Sequence, residues 1–294
     1  MRVSRRLAVL VNPTAGAGRA LAALPPIREE LERIGADFRV VETTSAEHAR
    51  EEARAAAAAG EPVGALGGDG LVGTLAGVLC GTGIPLAVLP GGRGNDLARV
   101  LGIPTEPAAA ARVAVEGQER AIDVAEVNDI SYVGIASCGF DSEANRIAND
   151  AKLIRGNLVY MYAALRALAA WKHAKFEVIV DGERHSISGW SVAVANSKAY
   201  GGGMYLVPQA ELDDGRLDVM LSSATSKLHF LRSLPKVFNG SHVDQPNLQF
   251  VRGERVEIHA DRPFMVYADG DAVGELPVTI RVAKQVLRVI VPTD

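Results

Sequence analysis

Glycine, amide and carboxylate side chains recur together in this chain at spacings suited to handling phosphate. Three turns in the first hundred residues carry the pattern: Val11-Asn12-Pro13-Thr14-Ala15-Gly16-Ala17-Gly18-Arg19, Gly67-Gly68-Asp69-Gly70 and Pro90-Gly91-Gly92-Arg93-Gly94-Asn95-Asp96. Glycine at such points lets backbone amides approach a phosphate with no side chain between them. The stretch Gly68 to Gly73 formally satisfies the dinucleotide pattern GxGxxG. It follows the third apolar run rather than the first, however, and roughly 20 residues on there is no acid to hold a ribose. The Walker pattern GxxxxGK[ST] does not occur. Glycine at strand–helix corners also serves packing, so the turns alone leave phosphate binding and a structural role both open.

The later carboxylates are of two kinds. Asp181-Gly182, Asp214-Gly215 and Asp269-Gly270 lie between or after apolar runs, where tight hairpins prefer such pairs, so by spacing alone these are turn acids. Asp123 instead lies inside the apolar run 122–127. A carboxylate half-buried in a strand needs a partner, which favours a role beside a cation. The six histidines, 48, 173, 185, 229, 242 and 259, show no metal spacing, and Cys80 and Cys138 read as packing residues.

The elements that must position these groups come in two styles. Apolar runs at 7–11, 63–66 and 86–89 read as buried strands of a parallel sheet. Between them lie a helical pattern over 21–34 stopped by Gly35, a strand at 38–41, and an alanine-rich helix opened by a Thr44/Glu47 capping box and closed by Gly60. A helix over 71–79 and a short one from Asn95 complete a doubly wound, Rossmann-like pattern. Beyond about residue 120 strands dominate, at 122–127, 132–136, 176–180, 191–195, 217–221, 256–260, 264–267 and 286–291, interrupted by helices near 157–171 and 226–238. The expectation is an α/β chain in two domains, 1–121 for a nucleotide and 122–294 as an antiparallel β-sandwich, with the extreme C-terminus packing back on the first domain.

Composition bounds the partners. A net charge of −4 and 48% hydrophobic residues allow a large core and give no electrostatic footprint for nucleic acid. No apolar stretch approaches the ~20 residues of a membrane span, and the expectation is a cytoplasmic protein. The apolar helix at 157–171, flanked by Lys152, Arg155, Arg166 and Lys172, reads either as core or as a surface facing anionic lipid.

Taken in order, Val11-Asn12-Pro13-Thr14-Ala15-Gly16, Thr43 with His48-Ala49, Gly67 to Gly70, Gly91 to Asp96 with Leu97-Ala98, Ile122-Asp123, Gly139-Phe140-Asp141, Tyr200 to Gly203, Asp213 to Gly215 with Leu217-Asp218, and Asp269-Gly270-Asp271 resemble the diacylglycerol-kinase catalytic family. This family of lipid kinases includes sphingosine kinases and is distantly similar to NAD kinases and phosphofructokinases. The resemblance covers nearly the whole chain and implies a Rossmann-like N-terminal domain, a C-terminal β-sandwich, and ATP and lipid meeting between them. It implies nucleotide contacts at Asn12, Thr14, Gly16, Thr43, Gly67, Gly68, Asp69, Gly70, Gly92, Arg93 and Asn95. It implies Asp269 as general base, with Asp96, Asp123 and Asp271 as a carboxylate network near a catalytic Mg²⁺. The turn matching Asp214, with Glu211 and Arg216 beside it, is implied to bind a second, structural Mg²⁺. Activity on diacylglycerol at a membrane surface is the leading expectation, with a sphingoid base, a glycolipid or another lipid alcohol next, and a catalytically weakened nucleotide- or lipid-binding regulatory protein as the alternative from another class; a homodimer is compatible with it. The family's Thr and Asn-Glu after GGDG are replaced by Leu71, Gly73 and Thr74, its usual Thr or Ser by Arg93, and its Asp-Gly-Glu ends in Asp271.

Overall fold

Runs of Val, Leu, Ala and Gly with no charge to place can be buried on both faces, and they form the parallel half of the sheet. The computed structural model describes residues 6–150 and 166–293. β1 (Leu7–Val11), β2 (Phe38–Glu42), β3 (Val63–Gly67) and β4 (Leu86–Pro90) pair in parallel in the order β2-β1-β3-β4, with β1 and β3 buried along their whole length. Their crossovers are α1 (Arg19–Arg33), α2 (Ala46–Ala58) and α3 (Asp69–Leu79). The short α4 (Asp96–Val100) and α5 (Pro107–Glu116) follow β4. The capping box expected at Thr44 is displaced by one residue: Ser45 caps α2, its Oγ accepting from the His48 amide at 3.0 Å, while Thr44 N donates to His48 Nδ1.

The remaining strands form an antiparallel β-sandwich: β5 (Gln118–Val127), β6 (Ile130–Tyr132), β7 (Ile135–Gly139), β8 (Ala174–Val180), β9 (Glu183–Ala195), β10 (Leu217–Ser223), β11 (Leu248–Gly253), β12 (Arg255–Ala260), β13 (Met265–Ala268), β14 (Asp271–Glu275) and β15 (Val278–Val291). Among the described residues this half includes α6 (Phe140–Asp150) and α7 (Lys227–Val237), the latter capped by Ser226. The strand expected over 132–136 is broken at Val133 and Gly134, because the amides there turn to a side chain, as described below. Strand-length expectations also missed β11 and β14. β11 leaves most of its residues partly exposed, and β14 is short and exposed at both ends, so neither has the apolar run that marks a buried strand.

β5 and β15 tie the halves together. They pair antiparallel from Ile280↔Val127 to Val291↔Gln118, with a break in register between Ala283 and Leu287, and the far end of β15 pairs in parallel with β4. The expected division between residues 121 and 122 falls inside β5, whose Ile122 and Val124 pack in the core of the parallel half and whose Ala125 and Val127 pack in that of the sandwich. The region 157–165, with Lys152 and Arg155, lies outside the described residues; residues 166–170 are helical. No described helix is long and apolar enough to cross a membrane.

Candidate active site

The first glycine turns gather where parallel strands end. Asn12 follows β1 and folds an Asx turn, its Oδ1 accepting from Thr14 N (3.1 Å) and Thr14 Oγ1 (2.9 Å). Thr43 is buried after β2, with its amide and hydroxyl both donating to Val11 O. Gly16, at φ +61°, lies against the third glycine turn so closely that a Cβ would come within 2.5 Å of Gly91 O, and a Cβ on Gly92 would strike Gly68 Cα. Several of these glycines therefore serve the approach of one turn to another. Gly70 differs: a Cβ there would meet nothing within 4 Å, which leaves open space above the start of α3.

Three carboxylates are aimed by backbone amides. Asp69 Oδ2 accepts from Asn95 N (2.9 Å) and Oδ1 from Asp96 N (2.7 Å), so the GGDG turn holds the beginning of α4. Asn95, at φ +53°, closes its own turn by accepting from Gly92 N. Asp96 in turn accepts from Gly202 N (2.9 Å) and Gly203 N (2.8 Å), across more than a hundred residues of sequence. Gly201, Gly202 and Gly203 all have positive φ, a conformation glycine adopts without strain, and this points successive amides at one acid. Asp269, in the tight turn between β13 and β14, accepts from Val133 N (2.9 Å) and Gly134 N (3.2 Å) on Oδ2 and from Ile135 N (3.1 Å) on Oδ1.

These acids face one cleft of about 710 Å³, lined also by Arg93, Val72, Leu97, Met204 and Phe238. A neighbouring cavity of about 510 Å³ reaches Asp69 and Asp269 as well and brings in Gly70, Gly73, Thr74 and Asp271. Burial pushes the Asp269 carboxyl up to about 6, against the pull of its three amide donors and with a further push from the Asp69 charge. Asp69 is likewise raised, first by burial and then by Asp96. A group poised near neutrality and a cluster of incompletely compensated negative charge make a site that can accept a proton and attract a cation.

Other expected site residues lie elsewhere. Asp123 is fully buried, its Oδ2 accepting from Gly215 N (2.6 Å) and its Oδ1 from Gln285 N (2.7 Å). It pins two loops and lines neither the cleft with Asp96 nor the neighbouring cavity with Asp271, because its strand turns that face toward the 213–215 and 285 loops. Asp214 is ion-paired to the Arg252 guanidinium and accepts from Arg216 N. Buried Asp218 pairs with Arg252 Nε at 3.3 Å. One guanidinium thus faces both acids, and neither Asp218 oxygen finds a hydrogen-bond partner among the described residues; Glu211, Asp214 and Arg216 do not line the cleft. Leu71 is buried against Gly67, so its side chain is core rather than cleft. Thr74 donates to Gly70 O within α3.

The cleft acids fit Mg²⁺ by donor chemistry, since hard carboxylate oxygens from Asp69, Asp96, Asp269 and Asp271 face connected cavities. Among the described residues no three close on a common point. Mg²⁺ usually takes only one or two carboxylates and completes its shell with phosphate and water, so a full protein cage is not required. The residues that sequence reasoning did not foresee here are Val133, Gly134 and the cleft wall at Met204 and Phe238. A run of three glycines at 201–203 was the one legible signal for the amides that hold Asp96.

Residues 6–127 match the model of the diacylglycerol kinase catalytic domain, and residues 134–291 that of the YegS C-terminal NAD kinase β-sandwich-like domain. A diacylglycerol kinase of Mycobacterium tuberculosis is 34% identical over 98% of this chain and 95% of its own length. One from Bacillus subtilis is 27% identical over 93% of this chain and 92% of its own. A probable lipid kinase, YegS-like, of Chromohalobacter salexigens is 30% identical over 85% and 83%. The crystal structure of a diacylglycerol kinase from Bacillus anthracis shares the fold at a TM-score of 0.80, with 23% identity, 99% of this chain and 98% of the other being covered.

Proposed function

Because the chain belongs to the diacylglycerol kinase family of lipid kinases, we propose that it transfers the γ-phosphoryl group of ATP to a lipid hydroxyl with Mg²⁺, converting diacylglycerol to phosphatidic acid. The observation that carries the reading is the convergence of Asp69, Asp96 and Asp269 on one cleft, with the Asp269 carboxyl held near 6. At neutral pH that carboxylate is ionised and basic enough to take a hydroxyl proton as attack begins. Its three amide donors fix it in one orientation, so little reorganisation accompanies the transfer.

In this reading residues 1–121 hold the nucleotide and 122–294 the lipid. The turns at Asn12, Thr43, Gly68 and Gly92 order the nucleotide side, and Gly70 leaves room for a phosphate beside the positive end of α3. Arg93 is exposed in the cleft and can pair with phosphate oxygens. Asp69, Asp96 and Asp271 are the residues that would hold Mg²⁺, which supplies charge neutralisation for the transferring group. Val72, Leu97, Met204 and Phe238 give the cleft an apolar wall, which suits acyl chains better than a small polar acceptor. The substrate is then met at a membrane by a peripherally associated, cytoplasmic enzyme.

Incubation with γ-labelled ATP, Mg²⁺ and dispersed diacylglycerol, sphingoid base and other lipid alcohols tests the proposal. Label in phosphatidic acid is the expected result. Label in another lipid replaces the substrate, and no label in any of them removes the kinase reading.

A further inference from the structure

Four of the seven large apolar side chains left exposed among the described residues fall between 228 and 238: Leu228 (57% exposed), Leu231 (40%), Leu234 (38%) and Phe238 (58%). The spacing of three and four residues places them in one stripe along α7. The opposite face of the helix is already committed. Phe230 stacks on Trp190, with ring centroids 4.1 Å apart, and meets Phe140 edge-on. Ser233 and His229 bond Gln245 Oε1, and Val237 O accepts from Tyr205 N. The stripe is therefore the outward side of an anchored helix.

Two further observations identify what covers it. The sequence of α7 contains no acid, and its exposed Arg232 and Lys236 form no ion pair with a described residue, although the chain as a whole carries a charge of −4. A basic border on an apolar stripe complements anionic headgroups above acyl chains. The stripe also ends at Phe238, which lines the cleft that holds Asp69 and Asp269.

We propose that α7 is the element by which this protein docks on an anionic bilayer. Leu228, Leu231 and Leu234 enter the boundary between headgroups and acyl chains, Arg232 and Lys236 lie among the phosphates, and the mouth of the cleft at Phe238 is brought to the lipid surface. This assigns the contact to α7 rather than to the segment 157–171. It rests on the lipid-kinase reading for its purpose, but its test does not.

The test is flotation of the full chain, without nucleotide, on vesicles of phosphatidylcholine alone and of equal parts phosphatidylcholine and phosphatidylglycerol. Leu228→Ser/Leu231→Ser is expected to weaken binding to both by ~10-fold or more, since burial of each leucine is lost. Arg232→Glu/Lys236→Glu is expected to lose ~10-fold on the anionic vesicles only, with residual binding no longer weakened by salt. The side chains are exposed, so melting curves should match wild type; Leu234→Ser alone is the milder variant should a double variant fail to fold. Partition within about twofold of wild type in these variants, or a wild-type protein that does not float, overturns the proposal. So does a wild-type dimer that the leucine variants split while flotation is unchanged, which would make the stripe a contact between copies. Turnover of short-chain, water-dispersed diacylglycerol should survive in all variants, and its absence in wild type would count against the kinase reading alone.

Discussion

In the cleft, Asp69, Asp96 and Asp269 are held by backbone amides, whereas at the 213–218 turn Asp214 and Asp218 share the guanidinium of Arg252. An amide donor orients a carboxylate and supplies only a partial charge, so much of the negative charge remains to be answered by whatever enters the cleft. A guanidinium brings a full positive charge, here shared between two acids. Burial raises acids in both places, Asp269 to about 6 and Asp218 above its usual range, but only Asp218 has a full cation pulling it back. Acids that look alike in sequence, each beside a turn, face an open cleft in one place and an arginine in the other. The set that faces the open cleft is where chemistry can occur.

The most severe way to break this contrast is Asp269→Asn. Loss of the base should lower kcat by ~10²–10⁴. The amide leaves one acceptor oxygen for the Val133, Gly134 and Ile135 N–H groups and turns an NH₂ toward the others, so stability should also fall by about 1–3 kcal/mol in urea titration. A folded variant with wild-type kcat would remove Asp269 from the mechanism.

The pH dependence of wild type reads the same group without mutation. Asp269 at about 6 must be ionised to act, so kcat/KM should fall about tenfold per pH unit on the acid side of 6. The sign for stability is the reverse: a carboxyl raised above its unfolded value binds its proton more tightly in the fold. Its contribution is therefore full below the unfolded value near 4 and lost as pH rises through 6. An acid limb centred near 4 instead would mean that the activity reports another group.

Arg252→Ala tests the other side of the comparison. It strips the cation from buried Asp218, and because Arg252 itself is partly exposed the expected cost is about 1–3 kcal/mol, with kcat nearly unchanged. If added Mg²⁺ raises the melting temperature of this variant but not of wild type, the acids accept a metal only once the guanidinium is gone. Unchanged stability would show that Arg252 does not complete the pair.

The smallest effect should come from Arg93→Ala, expected to raise KM for ATP several-fold with little change in kcat, as loss of uniform binding requires. An unchanged KM makes Arg93 a structural residue of its turn. Gly70→Ala is its partner on the backbone side: with open space at its Cβ it should fold as wild type and impair ATP use, in contrast to Gly92→Ala, whose Cβ would strike Gly68 and should unsettle both turns.

Much of this was legible in the chain itself. Uninterrupted apolar runs at 7–11, 63–66 and 86–89 mark buried parallel strands, because only such runs can lie between two layers of helices. Glycines at their ends mark where backbone must approach backbone, and Asp269-Gly270 marks a hairpin by its turn chemistry, which is local. What tertiary structure alone decided is who answers each charge. Asp96 meets the amides of 202 and 203, Asp269 those of 133 to 135, Asp123 those of 215 and 285, and Asp214 the side chain of Arg252. The same holds for α7, whose apolar periodicity predicts a helix with a buried face, whereas the stacking of Phe230 on Trp190 decided that the leucines face outward. Periodicity and turn preference act within a few residues and so can be read along the chain. Partners separated by tens to more than a hundred residues are set by strand order and register, which exist only once the chain has folded.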